Sequence, residues 1–424
     1  MSHRVSGDRG NDAPRVRARI LVVSPWESVW SLGGESKAGV SDDDRFIDGF
    51  TRAGYELHFL RPRPSEPQHD DPRVHTHFYP NFFRATRSLP TWLRRPLWPW
   101  LFETVAAPRA FRLARELCPD VVIGHSHYTT RTTNRCRRRL GIPSVVKLFG
   151  VMDLVHTEWS RAKYAFKNLE QIVALAYPQD AWIILDDGTR GGEILRAQGI
   201  PADRIHFLPN GLDVEWADAA IDRADARARL GLPAHGRVVL FLARLVASKR
   251  PRDFIRAATR VLSGRRDGVV FALVGDGDER AACERAAREA GLADRVRFLG
   301  TVPHDEVPRV MAASDLFVST STHTNRALPT CEAMLCGVPV VVYDTGDTTT
   351  VVRDGEAGRV VADGDVDALA TAIAHLLDDE AERLRLSANA RRVARESFTS
   401  WPKRIQMEIE IIERLRSDGG RRRG

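Results

Sequence analysis

The chain has 424 residues, more than one compact core commonly holds, so two domains are expected. Its 43% hydrophobic and 28% charged residues are those of a soluble globular protein, and no apolar run nears the roughly 20 residues that span a bilayer. The net charge of +7 leaves room for an acidic partner, yet there is no zinc-finger spacing, aromatic RNA-binding signature or concentrated basic helix, which argues against nucleic acid.

The opening MSHRVSGDRGNDAPRVRAR is polar and basic without the apolar core of a secretory signal, so a cytoplasmic location is the expectation and residues 1–18 read as a disordered leader. ARILVVSP is the first strand of a domain expected over 19–212. It enters a long loop, WESVWSLGGESKAGVSDD, where Gly33 and Gly34 either let backbone approach a ligand or mark a flexible surface loop. Asp42, Asp43 and Asp44 point in different directions on any regular backbone, so they read as a helix cap before DRFIDGFTRAG and not as a metal cluster. YELHFLRP is the next strand, and Pro62 to Arg73 reads as a surface loop.

Residues 78–111 then interleave Phe82, Phe83, Trp92, Trp98, Trp100 and Phe102 with Arg84, Arg87, Arg94 and Arg95. This is either a segment for an anionic membrane surface, rings at headgroup depth and guanidinium groups on phosphate, or an aromatic lid or core helix. Strands resume at DVVIGH, SVVKLFG and AWIILDD, with the helix GGEILRAQG after an Asp187-Gly188-Thr189 turn. His125 and His127 close DVVIGH and are expected to face a cleft, where a buried, satisfied imidazole is the competing reading. Asp153 and Glu158 are cleft carboxylates by position alone.

A second domain is expected over 213–397, with strands VVLFLAR, VVFALVG, VRFLG, DLFVST, VPVVVYD and RVV separated by helices. The expected fold is α/β: two doubly wound, Rossmann-like parallel sheets facing a cleft, with ligands at the carboxyl ends of their strands. FTSWPKRIQMEIEIIERLRSD (398–418) has helical periodicity, and 419–424 reads as a frayed end. The five cysteines (118, 136, 283, 331 and 336) form no C-x-x-C pair and no zinc-like set; Cys331 and Cys336 fall in an apolar helical pattern, and no disulfide is expected.

The chemistry concentrates in the second half. Pro329 stands three residues before Glu332 at the expected start of a helix, where proline loses nothing by lacking an N–H. Free amides and the positive end of the helix dipole there suit an anion, and a carboxylate one turn on suits sugar hydroxyls. Arg244 and Lys249 sit five apart in the loop after VVLFLAR; fixed cations stabilise a departing diphosphate as its charge grows, although alone they read rather as solvated surface cations. Gly275-Asp276-Gly277 is weak as a phosphate motif and reads mainly as a tight turn.

These segments together resemble a family 4 glycosyltransferase of the two-domain GT-B architecture. FLARLVASKRP (241–251), FALVGDGDER (271–280), RIHFLPNGLDV (204–214) and the stretch Arg295–Val361 carry the likeness strongly; CPDVVIGHSHY and RLGIPSVVKLFG carry it more loosely. The resemblance implies a retaining, metal-independent transfer of a hexose-like sugar from a nucleotide diphosphate to an acceptor hydroxyl, in glycan, glycolipid or metabolite synthesis, with no cofactor. It implies that Arg244 and Lys249 hold diphosphate, that Glu332 binds the ribose, that Leu328 and neighbouring amides contact phosphate, that Thr301 and Val302 lie at the base, and that His125 belongs to the catalytic wall. It further implies an acceptor, possibly lipid-linked, on the first domain, and a final helix that crosses back to that domain.

Two positions depart from the family's pattern. The first glutamate of its E-x7-E motif falls at Thr324, followed by Asn325, and a common histidine is replaced by Phe149. A hydroxyl or amide still hydrogen-bonds a sugar, whereas phenylalanine does not. The sugar pocket is therefore expected to differ from common glucosyl or mannosyl enzymes. Competing readings are a nucleotide-sugar-binding protein without transfer, and a GT-B epimerase or hydrolase.

Overall fold

The computed structural model describes residues 16–25, 42–63, 69–86, 88–149, 160–185, 191–264, 267–322, 328–346 and 348–423. Gly33, Gly34, Asp153, Glu158, Thr324 and Asn325 lie outside them.

Seven strands form the first sheet: β1 (Ala18–Val23), β2 (Tyr55–Arg63), β3 (Val74–Pro80), β4 (Val121–His125), β5 (Ser144–Leu148), β6 (Ala181–Leu185) and β7 (Ile205–Leu208). Their spatial order is β3-β2-β1-β4-β5-β6-β7, all parallel. After β8 (Gly211–Leu212), a second parallel sheet holds β9 (Arg237–Leu242), β10 (Val269–Val274), β11 (Val296–Gly300), β12 (Leu316–Ser319), β13 (Val340–Tyr343) and β14 (Gly358–Val361), ordered β11-β10-β9-β12-β13-β14. The architecture is the expected pair of doubly wound α/β sheets.

The strands are nearly continuous runs of valine, isoleucine and leucine because helices cover both sheet faces. In the second sheet Val238, Leu240, Val270 and Ala272 face one core, and Val239, Phe241, Phe271 and Leu273 face the other. That alternation is the two-residue period of a strand. Strand order reverses between β1 and β4 and again between β9 and β12, which opens a crevice beyond the carboxyl ends at each place.

The helix Trp401–Arg423 returns to the first domain, where Ile405, Ile409 and Ile412 share a core with Ile20, Val22 and Phe46. Two glycines permit this seating: a Cβ at Gly49 would fall inside Ile405, and one at Gly211 inside Trp401. The two-stranded ladder of β8 with β15 (Thr399–Ser400) anchors the crossing. The helix continues to Arg423, and Gly419 packs on Pro143, so residues 419–423 extend it where a frayed end was expected.

In the first domain the surface loop expected from Pro62 begins later. β2 runs through Pro62 and Arg63, and β3 is an added edge strand in register with it from Leu57↔Val74 to Arg63↔Pro80. Residues 78–111 divide between the end of β3, the helices Phe82–Ala85 and Thr91–Leu101, a π-helical turn at Phe102–Ala106 and the helix Ala107–Leu117. Phe82 and Phe102 are core residues, Trp98 donates its Nε1 hydrogen to Thr86 Oγ1 at 2.8 Å, and Trp100 stays 60% exposed. No described helix is long and apolar enough to cross a membrane.

Candidate active site

Beyond β9 the chain turns through Ala243–Leu245, forms a short 3-10 turn at Ala247–Lys249 and enters the helix Pro251–Ser263. Arg250, in the left-handed region at φ 45°, makes the corner. The turn is pinned from β12: Thr320 Oγ1 donates to the carbonyls of Lys249 (2.8 Å) and Arg250 (3.0 Å), and the Thr322 amide donates to Ser248 O at 2.9 Å. The loop carrying Arg244 and Lys249 therefore sits on the β9/β12 reversal, where an open sheet binds ligands.

The Gly275-Asp276-Gly277 turn supports this loop from below. Gly277, at φ +152°, passes so close that a Cβ would stand 2.5 Å from Leu245 O, and a Cβ on Gly275 would overlap Ala243 O. Leu245 N donates to Asp276 O at 2.8 Å in return. Its task is close backbone packing, the tight-turn reading.

Arg244 is exposed and Lys249 half-buried, and neither forms an ion pair with a described residue. Burial, and then the Arg244 charge, push the Lys249 ammonium below its usual pKa. Two cations close enough to repel, with no carboxylate between them, are relieved by an anion.

The helix Leu328–Leu335 follows β12 on the same side. The Leu328 side chain packs on the core, among Asn210, Leu212, Cys331 and Phe398. Glu332 is 5% exposed, and burial pushes its carboxyl up to about 7; His304 opposes that rise and Asp213 adds to it. Thr301 is exposed after β11, and Val302 packs on the core.

Asp213 and His304 were not singled out in the sequence. His304 Nε2 lies 2.8 Å from Asp213 Oδ2, and its ring packs on Trp216 with centroids 4.7 Å apart. Asp213 also receives Arg45 Nη2 from the first domain at 2.7 Å. The legible signal was an acid at the domain crossing, in PNGLDV, beside a histidine after the turn that follows VRFLG.

The first sheet presents its own reversal at the end of β4. His125 is only 1% exposed, its ring edge-on to Phe149 at 5.4 Å, and so not on an open wall. His127 is half-buried and paired with Glu170 at 3.0 Å. Between them Ser126 takes φ 71°, a strained conformation for a residue with a Cβ, which turns the chain sharply at the crevice. Beside His125 in register, Lys147 is fully buried 3.5 Å from Glu408, which also holds Arg404 at 2.7 Å.

Two doubly wound domains, with the last helix returning to the first, define the GT-B class of glycosyltransferase fold. Residues 44–216 match the model of Glycosyltransferase Family 4, and residues 222–393 that of Glycosyl transferases group 1. The D-inositol 3-phosphate glycosyltransferase of Thermobispora bispora is 30% identical over 313 residues, covering 70% of this chain and 72% of that relative. The 2-deoxystreptamine glucosyltransferase of Streptomyces kanamyceticus is 36% identical over 195 residues, 45% of this chain and 50% of that relative, so the chain spans about half its length. HepE of Anabaena, solved with UDP and glucose, shares the fold at a TM-score of 0.70 and 20% identity, over 93% of this chain and 99% of that one. The chain belongs to glycosyltransferase family 4.

Proposed function

We propose that the protein transfers a hexose-like sugar from a nucleoside diphosphate to an acceptor hydroxyl, with retention of anomeric configuration and without a metal ion. The observation that carries this reading is the convergence of Arg244 and Lys249, free of carboxylate partners among the described residues, on the strand-order reversal of the second sheet. Family membership and the binding of UDP and glucose by HepE support it.

In this reading Arg244, Lys249 and the amides at Leu328 hold the diphosphate and stabilise its charge as the glycosidic bond breaks. Glu332 binds the ribose hydroxyls, Thr301 and Val302 border the base, and Thr324 and Asn325 meet the sugar. Gly33 and Gly34 approach the diphosphate from the first domain. His125, behind Phe149, backs the opposite wall, and the acceptor lies on the first domain. The named substrates of the relatives, an inositol phosphate and an aminocyclitol, make polyhydroxylated rings the first acceptors to try. The exposed Trp100 favours including lipid-linked acceptors.

The test is nucleotide release from UDP-, GDP-, ADP- and TDP-sugars, with and without D-inositol 3-phosphate, 2-deoxystreptamine and a cell-lipid extract. Acceptor-dependent release with an axial-for-axial product supports the proposal. Acceptor-independent release, an isomerised sugar or binding without turnover contradicts it.

A further inference from the structure

Far from the cleft, at the amino-terminal ends of β2 and β3, the pattern Glu56-Leu57-His58 runs beside His75-Thr76-His77. Register pairs His58 with His75, and the two-residue strand period puts Glu56 on the same face as His58. Glu56 Oε1 lies 3.2 Å from His58 Nε2 and 3.0 Å from His75 Nε2, and all three atoms fall within 4.8 Å of one another. Ligand atoms on a tetrahedral zinc with bonds of about 2.0–2.1 Å stand about 3.3 Å apart. The trio is thus close to that spacing already.

The surroundings match a metal's outer shell. His58 Nδ1 lies 3.1 Å from His77 Nε2, so a proton on Nδ1 has an acceptor there in the tautomer that leaves Nε2 as ligand, and the Arg19 Nε–H donates to Glu56 Oε2 at 3.1 Å, orienting Oε1 inward. His58 is buried at 5% exposure, while the His75 side chain, 40% exposed, leaves an entry path and room for a water ligand. We propose that Glu56, His58 and His75 bind a zinc-class divalent cation, which clamps the edge strand β3 to β2. The site lies at the opposite end of the strands from the sugar-transfer cleft and takes no part in transfer. The nearby Arg19 guanidinium and the single carboxylate make its affinity lower than that of a closed four-ligand site.

The experiment titrates the chelator-treated full chain with Zn2+ and with Co2+ by calorimetry and visible absorption. One ion per chain is expected, with the absorption bands of N/O-ligated Co2+ and a melting temperature raised on the order of 5 °C at a hundredfold excess over Kd. His58→Gln and His75→Gln each lower affinity at least about tenfold with an unchanged circular dichroism spectrum, and His235→Gln, at an exposed site elsewhere, leaves it unchanged. No saturable binding up to about 100 μM, or equal affinity in the His58 and His75 variants, overturns the proposal.

Discussion

Arg45 and Asp213 join the two halves of the molecule. The guanidinium belongs to the helix Asp42–Arg52 of the first domain, and the carboxylate, 2.7 Å away, begins the second. The other oxygen of Asp213 holds His304 at 2.8 Å, so one side chain fixes the crossing and the floor beside Glu332. Because Arg45 is a third exposed, solvent screens the pair. A double-mutant cycle of Arg45→Ala and Asp213→Ala, read by thermal unfolding, is expected to give a coupling of about 1 kcal/mol. Independent effects would show that the contact does not join the domains energetically.

Glu332 links stability to pH. Its carboxyl titrates at about 7 in the folded protein, against an ordinary value near 4.5, chiefly because burial disfavours the charge. The folded state therefore holds a proton that the unfolded chain releases. Its contribution is full below pH 4.5 and lost as pH rises to 7, a change of about 3 kcal/mol. Glu332→Gln should raise the melting temperature at pH 8 and leave it unchanged at pH 4, while weakening nucleotide binding. Equal melting temperatures at both pH values would mean that the carboxylate is compensated.

The glycine turn is expected to fail as support before it fails as chemistry. Gly277→Ala places a Cβ against Leu245 O in a backbone region that side chains avoid, costing roughly 2–3 kcal/mol. Thermal unfolding reads the loss, and nucleotide affinity falls with it as the Arg244 loop shifts. Wild-type stability in this variant would contradict the packing described.

Glu408 is the buried anion between Lys147 and Arg404, all three without solvent contact. Glu408→Ala takes a buried carboxylate from two desolvated cations, and a loss of about 3–5 kcal/mol is expected in denaturant unfolding. A loss under about 1 kcal/mol would mean that the helix Trp401–Arg423 is held by its isoleucines alone.

Most strands were legible because a parallel sheet covered on both faces writes itself as valine and isoleucine runs between helices. β3 was not: His75 and His77 occupy positions where an apolar pattern would have shown the edge strand, and His75 pairs instead with Glu56. Arg244, Lys249 and Glu332 were singled out from their loops and the helix start, with their roles taken from the family resemblance. Asp213 and His304 were missed because their partnership spans 91 residues of sequence, which no local pattern records. The burial of His125 was one of the two readings the sequence left open, and the Phe149 ring that meets it edge-on comes from the end of the next strand.

The central claim is that Arg244 and Lys249 grip the pyrophosphate of a nucleotide. Calorimetric titration with UDP, GDP, ADP and TDP tests it most directly, on the wild type and on Arg244→Glu and Lys249→Glu. At least one nucleotide should bind the wild type, with affinity falling about tenfold to a hundredfold in each variant as a charge-assisted contact worth about 1.5–3 kcal/mol is lost. No affinity for any of the four, or unchanged affinity after charge reversal, would contradict the account.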